Sequence, residues 1–278
     1  MRLDTAIADA VERLLNISDS ARLDAEILLC QAINMPRSYL FAHPEDELDK
    51  LSRDRFDALL QRRIAGEPMS YITGTREFWS HELLVSPATL VPRPETELLV
   101  ELALRQIPRE AEWQILDLGT GSGAIAIAIA AERPLCAVTA TDISSGALAV
   151  AAENVRQSDL PNVSCLEGSW AAPVAGRKFN IILSNPPYVR SDDAALEDLR
   201  FEPISALTSG KDGLDDIRIL ASDCIPVLAS EGWLMLEHGA EQRTDVTHIL
   251  DAAGWIDITC HNDLSGMPRV TAARRNGT

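Results

Sequence analysis

From residue 113 onward the chain alternates short apolar runs with helical stretches, and this restricts the fold more than any other feature of the sequence. Strands separated by helical crossovers build a mostly parallel sheet with helices on both faces. The expected strands are residues 113–117, 137–141, 162–166, 179–184, 232–237, 255–260 and 268–273. Helices are expected after the first strand through Ala131, after the second through Val155, and over 214–229 and 240–253. Only residues 261–267 separate the last two strands, too few for a helical crossover, so those strands should pair antiparallel. The fold class is therefore α/β.

The N-terminal part has a different period. Leu3, Ile7, Val11 and Leu14 fall on one helical face. Ser18 to Ser20 offers an N-cap, followed by a stripe of Ala25, Leu28, Leu29 and Ala32. Phe56, Leu59, Leu60 and Ile64 form a third stripe, which Gly66 and Pro68 end. Such a small helical bundle would have a thin core by itself. Residues 71–74 and 77–85 are aromatic and β-branched and are expected to form a hairpin. The expected organisation is a helical docking domain over 1–70, a hairpin linker over 71–95 and a catalytic domain over 96–278.

The chain has 278 residues, 46% of them apolar, enough for a substantial core, and a net charge of −17. It has no long basic run to neutralise nucleic-acid phosphates. An acidic surface instead suits a basic protein partner. The apolar run at 124–131 is far too short to span a bilayer, and no secretory leader is visible. Cys30, Cys136, Cys165, Cys224 and Cys260 lie in no metal or disulfide spacing, as expected of thiols in a reducing cytoplasm.

Two motifs carry chemistry. In the first, Asp117 ends the first strand and Gly119, Thr120, Gly121, Ser122 and Gly123 form the turn into the next helix. Glycines let a ligand approach the backbone there, and the helix N-terminus offers free N–H groups. The spacing is Gly-x-Gly-x-Gly rather than that of a dinucleotide site, and Asp117 suits an ammonium group better than a pyrophosphate. Asp142 ends the second strand, where a carboxylate can bind ribose hydroxyls or cap the helix that follows.

The second motif is Asn185, Pro186, Pro187 and Tyr188, directly after an apolar strand. The turn fixes the backbone and points one carboxamide outward. The Asn185 side-chain oxygen and the Pro186 carbonyl can each accept a hydrogen bond from a substrate NH2 group, while Tyr188 packs against a planar substrate. Adenine, cytosine and glutamine all carry such a group, and the four residues alone do not choose among them.

The glycine turn and Asp142, with the strand–helix alternation, resemble the class I S-adenosylmethionine-dependent methyltransferases over about residues 90–278. The resemblance implies a Rossmann-like sheet whose last strand runs antiparallel, and S-adenosyl-L-methionine as cofactor. It implies that residues 119–123 cradle the methionine part, Asp142 holds the ribose and Trp170 flanks the adenine. It also places the strand before Asn185 beside the strand before Gly119, so that Asn185 meets the methyl group. Over nearly its full length the chain resembles the release-factor glutamine methyltransferases, the PrmC/HemK family. The matching residues include Gly66 to Pro68, Tyr71 to Gly74, Glu77 to Trp79, Val91 to Glu97, Phe201 to Pro203, Gly210 to Leu214 and Glu237 to Gly239. This resemblance implies methylation of the glutamine N5 in a Gly-Gly-Gln motif of class-1 peptide chain release factors. It carries no expectation of a metal, a membrane or direct nucleic-acid contact. A glutamine methyltransferase of a ribosomal protein and a nucleic-acid adenine N6-methyltransferase are the alternatives. Ser169 stands where many relatives carry Asp. Arg93 and Glu95 either help close the site or form a structural ion pair, and His238, with no Cys or His at metal spacing, is expected to be structural.

Overall fold

The computed structural model describes residues 1–276 and divides into two compact units, Met1–Thr75 and Arg76–Thr278. The first contains α1 (Leu3–Leu14), α2 (Ala21–Ile33), α3 (Arg37–Ala42), α4 (Lys50–Ile64) and α5 (Met69–Thr73). Its core joins Leu3, Leu14, Leu28, Leu29, Phe56 and Leu60, the faces the helical period marks. Two expectations fail here. The Ser20 hydroxyl does not cap α2; it donates to the Asp24 carboxylate at 3.0 Å. Residues 71–74 are not a strand: Pro68 precedes the single turn of α5, and Gly74 ends it with φ +82°. Pro at a helix start and Gly just past its end are the usual punctuation of a helix, and here they outweigh the β preference of Tyr71 and Ile72. Asp24 is buried and accepts from Arg63 at 2.8 Å, tying α2 to α4.

The second unit opens with a two-stranded hairpin, β1 (Thr75–Phe78) and β2 (His81–Leu84). Then come α6 (Glu97–Gln106), β3 (Gln114–Leu118), α7 (Ala124–Glu132), β4 (Ala137–Asp142), α8 (Ser145–Gln157), β5 (Val163–Glu167) and β6 (Phe179–Ser184). The chain ends with α9 (Asp215–Asp223), β7 (Leu228–Glu237), α10 (Arg243–Ala252), β8 (Ile256–Asn262) and β9 (Pro268–Arg274). The seven strands β3 to β9 form one sheet in the order β5-β4-β3-β6-β7-β9-β8. Strands β3 to β7 pair parallel, and β9 pairs antiparallel with both β7 and β8.

The sheet separates two cores. Along β6, Ile181 and Leu183 face one and Ile182 faces the other, the period-2 alternation of a strand buried on both sides. Helix α7 is buried all round from Ala124 to Ala130; its alternating Ala and Ile would suit a strand by period alone. The expected helix over 214–229 ends at Asp223. Pro226 has no N–H to donate and disfavours helical geometry at Ile225, so a short 3-10 turn follows and Leu228 joins the sheet opposite Phe179.

Two carboxylates are buried at strand ends. Asp117 accepts the Thr120 hydroxyl on Oδ2 at 2.5 Å, while its Oδ1 has no hydrogen bond of ordinary geometry. Burial pushes Asp117 from 3.8 up to about 7, and Glu237 from 4.5 to about 7. A carboxyl that holds its proton more tightly folded than unfolded stabilises the fold while protonated. That contribution is whole below about pH 4 and is lost as pH rises through about 7. The melting temperature should therefore fall more steeply between about pH 4 and about pH 7 in the wild type than in Asp117→Asn; parallel slopes would contradict the assignment. Phe179 is fully buried beneath the β6–β7 pairing, and Phe179→Ala should cost about 3–5 kcal/mol in denaturant titration. An unchanged midpoint would show that this core does not hold the sheet.

Candidate active site

The sheet order reverses between β3 and β6, which run side by side with Leu118 opposite Ser184. The Ser184 hydroxyl donates to the Leu118 carbonyl at 2.7 Å and locks the two strand ends together. Loops leaving neighbouring strands in opposite directions open a crevice at the carboxyl edge. A cleft of about 420 Å³ lies there.

One wall is the glycine turn. The Gly119 and Thr120 amides donate to the Thr141 carbonyl, each at 2.9 Å, which folds the turn back over β4. Gly119 has φ +70°, and a Cβ on it would lie 3.2 Å from the Trp170 ring. The backbone conformation and the indole stacked against the turn both call for glycine. Trp170 is itself held by the Thr141 hydroxyl, which donates to its carbonyl at 3.1 Å.

Asp142 sits at the centre of this wall. Its Oδ2 accepts the Gly121 amide and its Oδ1 the Ser144 amide, both at 2.9 Å. Ser144, not Asp142, is the side-chain cap of α8. Asp142 therefore fixes the shape of the turn, and its oxygens keep further lone pairs for a ligand hydroxyl.

The opposite wall begins at Asn185. Its Nδ2 donates to the buried Thr96 hydroxyl at 3.1 Å, and among the described residues its Oδ1 has no protein partner. Tyr188 and Val189 follow, their amides donating to the Leu207 carbonyl at 3.2 and 2.9 Å. The Tyr188 carbonyl accepts from Gln242 at 3.0 Å, and a Cβ on Gly213 would lie 2.3 Å from it. That close approach gives the segment from Gly210 to Leu214 its glycine.

Of the residues singled out in the sequence, Gly119, Gly121, Asp142, Ser169, Trp170, Asn185, Pro187 and Pro203 line the cleft. Thr120 and Ser122 are buried behind the turn, and Gly123 caps α7. Pro186 and Tyr188 are not on the cleft wall, and burial pushes the Tyr188 hydroxyl up to about 12. Asp117 is sealed beneath the turn rather than open to a ligand.

Arg93 does form an ion pair, but its partner is the buried Glu202, not Glu95. The other Glu202 oxygen accepts the Val91 amide at 3.0 Å. This clamp joins the segments around Val91 and Pro203, and it gives a structural reason for both to recur in the resemblance. His238 is buried, within 2.8 Å of the Thr271 hydroxyl on one nitrogen and of the Gly239 carbonyl on the other. Burial holds its pKa below the ordinary value.

Several functional groups gave no sequence signal. Thr89, Ile143 and Asp216 also line the cleft. Buried Asn154 pairs with both backbone groups of Leu84 and donates to the Ser122 carbonyl at 2.8 Å, so the hairpin braces the glycine turn. Among the described residues no group of three His, Cys, Asp or Glu could hold a metal, and no helix is long and apolar enough to cross a membrane.

Comparison with known proteins agrees with this geometry. Residues 5–74 match the family model described as the PrmC N-terminal domain, and residues 95–205 the one described as the methyltransferase small domain. A release factor glutamine methyltransferase of Coxiella burnetii is 41% identical, covering 99% of each chain. One from Xylella fastidiosa is 45% identical over 98% of this chain and 97% of its own. The crystal structure of a methyltransferase from Pyrococcus furiosus superposes with a TM-score of 0.54 at 18% identity, covering 81% of this chain and 99% of its own, which shows the shared fold. With two family models matched and near-complete coverage of relatives above 40% identity, the chain belongs to the release factor glutamine methyltransferase family.

Proposed function

We propose that this protein transfers the methyl group of S-adenosyl-L-methionine to the N5 amide of the glutamine in the Gly-Gly-Gln motif of class-1 peptide chain release factors. The observation that carries this reading is the Asn185 carboxamide. It is held by its nitrogen, and its unpartnered oxygen lies on a cleft whose other wall is the glycine turn.

The residues present fit the cofactor. The turn at 119–123 offers backbone groups at the start of α7, Asp142 keeps lone pairs for the ribose, and Trp170 supplies a flat apolar surface for the adenine. When bound, the cofactor supplies an electrophilic methyl group on a sulfonium. The protein must then orient a poor nucleophile, because the lone pair of an amide nitrogen is delocalised into its carbonyl. Asn185 Oδ1 accepts one N–H of the substrate carboxamide, and the Pro186 carbonyl, next along the chain though outside the cleft lining, accepts the other. That fixes the nitrogen in line for attack and favours the positive charge that develops on it. The proton leaves after transfer, so the site needs no strong base. Tyr188 supports the turn that carries both acceptors.

The net charge of −17 supports a basic protein substrate over a nucleic acid. The helical unit at residues 1–70, followed by the segment at 71–95, is read as the docking module, and the protein as cytoplasmic.

Incubation with cofactor and a release factor should add about 14 Da to the Gly-Gly-Gln peptide in mass spectrometry, as expected for one methyl group at a site of this class. Methylation of a ribosomal protein or of DNA or RNA, with the release factor untouched, would overturn the reading. Asn185→Ala should lower kcat about 10²-fold with much less effect on cofactor affinity. Equal losses would mean that Asn185 serves mainly to hold the cofactor. Asp142→Ala should weaken cofactor binding, read by calorimetry; unchanged affinity would refute its ribose role.

A further inference from the structure

Asn185 presents either its oxygen or its nitrogen to the cleft, and the two ends of a carboxamide are nearly the same size. Shape does not choose between them; hydrogen bonding must. The partner that chooses is Thr96, 89 residues earlier in the chain, at the end of the 3-10 turn Pro94–Thr96. Its side chain is buried, with 4% of the residue exposed. A hydroxyl can donate to an amide oxygen or accept from an amide nitrogen, so Thr96 alone could hold Asn185 either way round.

Behind Thr96 lies Glu237, the last residue of β7, which is fully buried. Among the described residues neither of its oxygens has a hydrogen-bond partner, and the Thr96 and Tyr188 hydroxyls act against the upward push that burial gives its pKa. An ionised carboxylate only accepts. A Thr96 proton turned toward the ionised Glu237 would leave the Thr96 oxygen to accept on the other side. There it meets the Asn185 Nδ2 at 3.1 Å, and Asn185 Oδ1 turns to the cleft.

We propose that Thr96 and Glu237 are positioning residues that set the direction of the Asn185 carboxamide, so that its oxygen faces the substrate NH2. This rests on the role of Asn185 given above and adds to it the reason the side chain presents its acceptor. The reverse orientation would set the Asn185 NH2 against the substrate NH2, donor against donor.

The charged and titratable groups around Glu237 are Arg269 on β9, Glu95 in the turn that carries Thr96, and Tyr188 in the loop after β6. Burial outweighs Arg269 and pushes Glu237 up to about 7. Once protonated, Glu237 can donate to Thr96, which frees the Thr96 proton to seek Asn185 Oδ1. The productive orientation is then lost as pH falls through about 7.

The test measures kcat and the cofactor KM for methylation of a release factor by the full chain. Thr96→Val should lower kcat about tenfold or more and leave the cofactor KM within about twofold, because it removes orientation rather than cofactor contact. Thr96→Ser, which keeps the hydroxyl, should restore kcat. In an Asn185→Ala background, Thr96→Val should cause little further loss. The wild-type kcat should rise with pH through about 7, and Glu237→Gln, which cannot ionise, should lose that limb. An impaired Asn185→Ala alongside an unimpaired Thr96→Val would overturn this inference alone. So would a Thr96→Val loss that persists in full without Asn185, no rescue by Thr96→Ser, or an intact pH limb in Glu237→Gln. An unimpaired Asn185→Ala would remove the catalytic reading itself, and this inference with it.

Discussion

The parallel pairing of β3 with β6 is the constraint on which the site depends. It sets Leu118 opposite Ser184, so the two residues that leave those strand ends, Gly119 and Asn185, emerge side by side. A bond from the Ser184 hydroxyl to the Leu118 carbonyl fixes this register where it matters, one residue before each loop begins. A parallel strand slipped by one residue would turn its whole buried set to the other face. Ile181, Ile182 and Leu183 fill two cores on opposite faces, so both cores oppose such a slip. The position of Asn185 against the glycine turn is thus determined by packing well away from the cleft.

Around this pair the protein uses buried and half-buried polar groups to hold loops still. Asp142 accepts amides from the turn and from the start of α8, Asn154 joins the hairpin to the turn, and Glu202 binds Arg93 and the Val91 amide. Each is a satisfied group in a region where an unsatisfied one would be costly. Asp117 and Glu237 are exceptions, carboxylates with oxygens left without ordinary partners. Their raised proton affinity is the physical consequence. For Glu237, next to Thr96, that consequence bears on the orientation of Asn185.

Much of the fold was legible in the sequence because periodicity reports burial. The alternation after residue 113 indicated the sheet, and the short link at 261–267 indicated the antiparallel pairing of β8 and β9. The failures came where local signals competed. Tyr71 and Ile72 favour a strand by type, yet Pro68 and Gly74 frame a helical turn. The helix expected through residue 229 was cut short at Asp223, because Pro226 lies within that stretch and Leu228 has a strand to pair with. In the site, the residues visible in advance were those on the turns themselves. Thr96 and Glu202 lie in matching segments and Asn154 does not, but the roles of all three depend on partners 89, 111 and 70 residues away. The sequence marks Arg93 as an ion-pair candidate, but only the fold shows that Glu202 rather than Glu95 receives it.

The central claim is that Asn185 Oδ1 and the Pro186 carbonyl grip the substrate amide. A crystal structure with S-adenosylhomocysteine and a Gly-Gly-Gln peptide tests it most directly. The account predicts the glutamine side-chain nitrogen at about 3 Å from both oxygens, with Asn185 Nδ2 still on Thr96. A glutamine seated away from Asn185, or an Asn185 whose nitrogen faces the peptide, would contradict it.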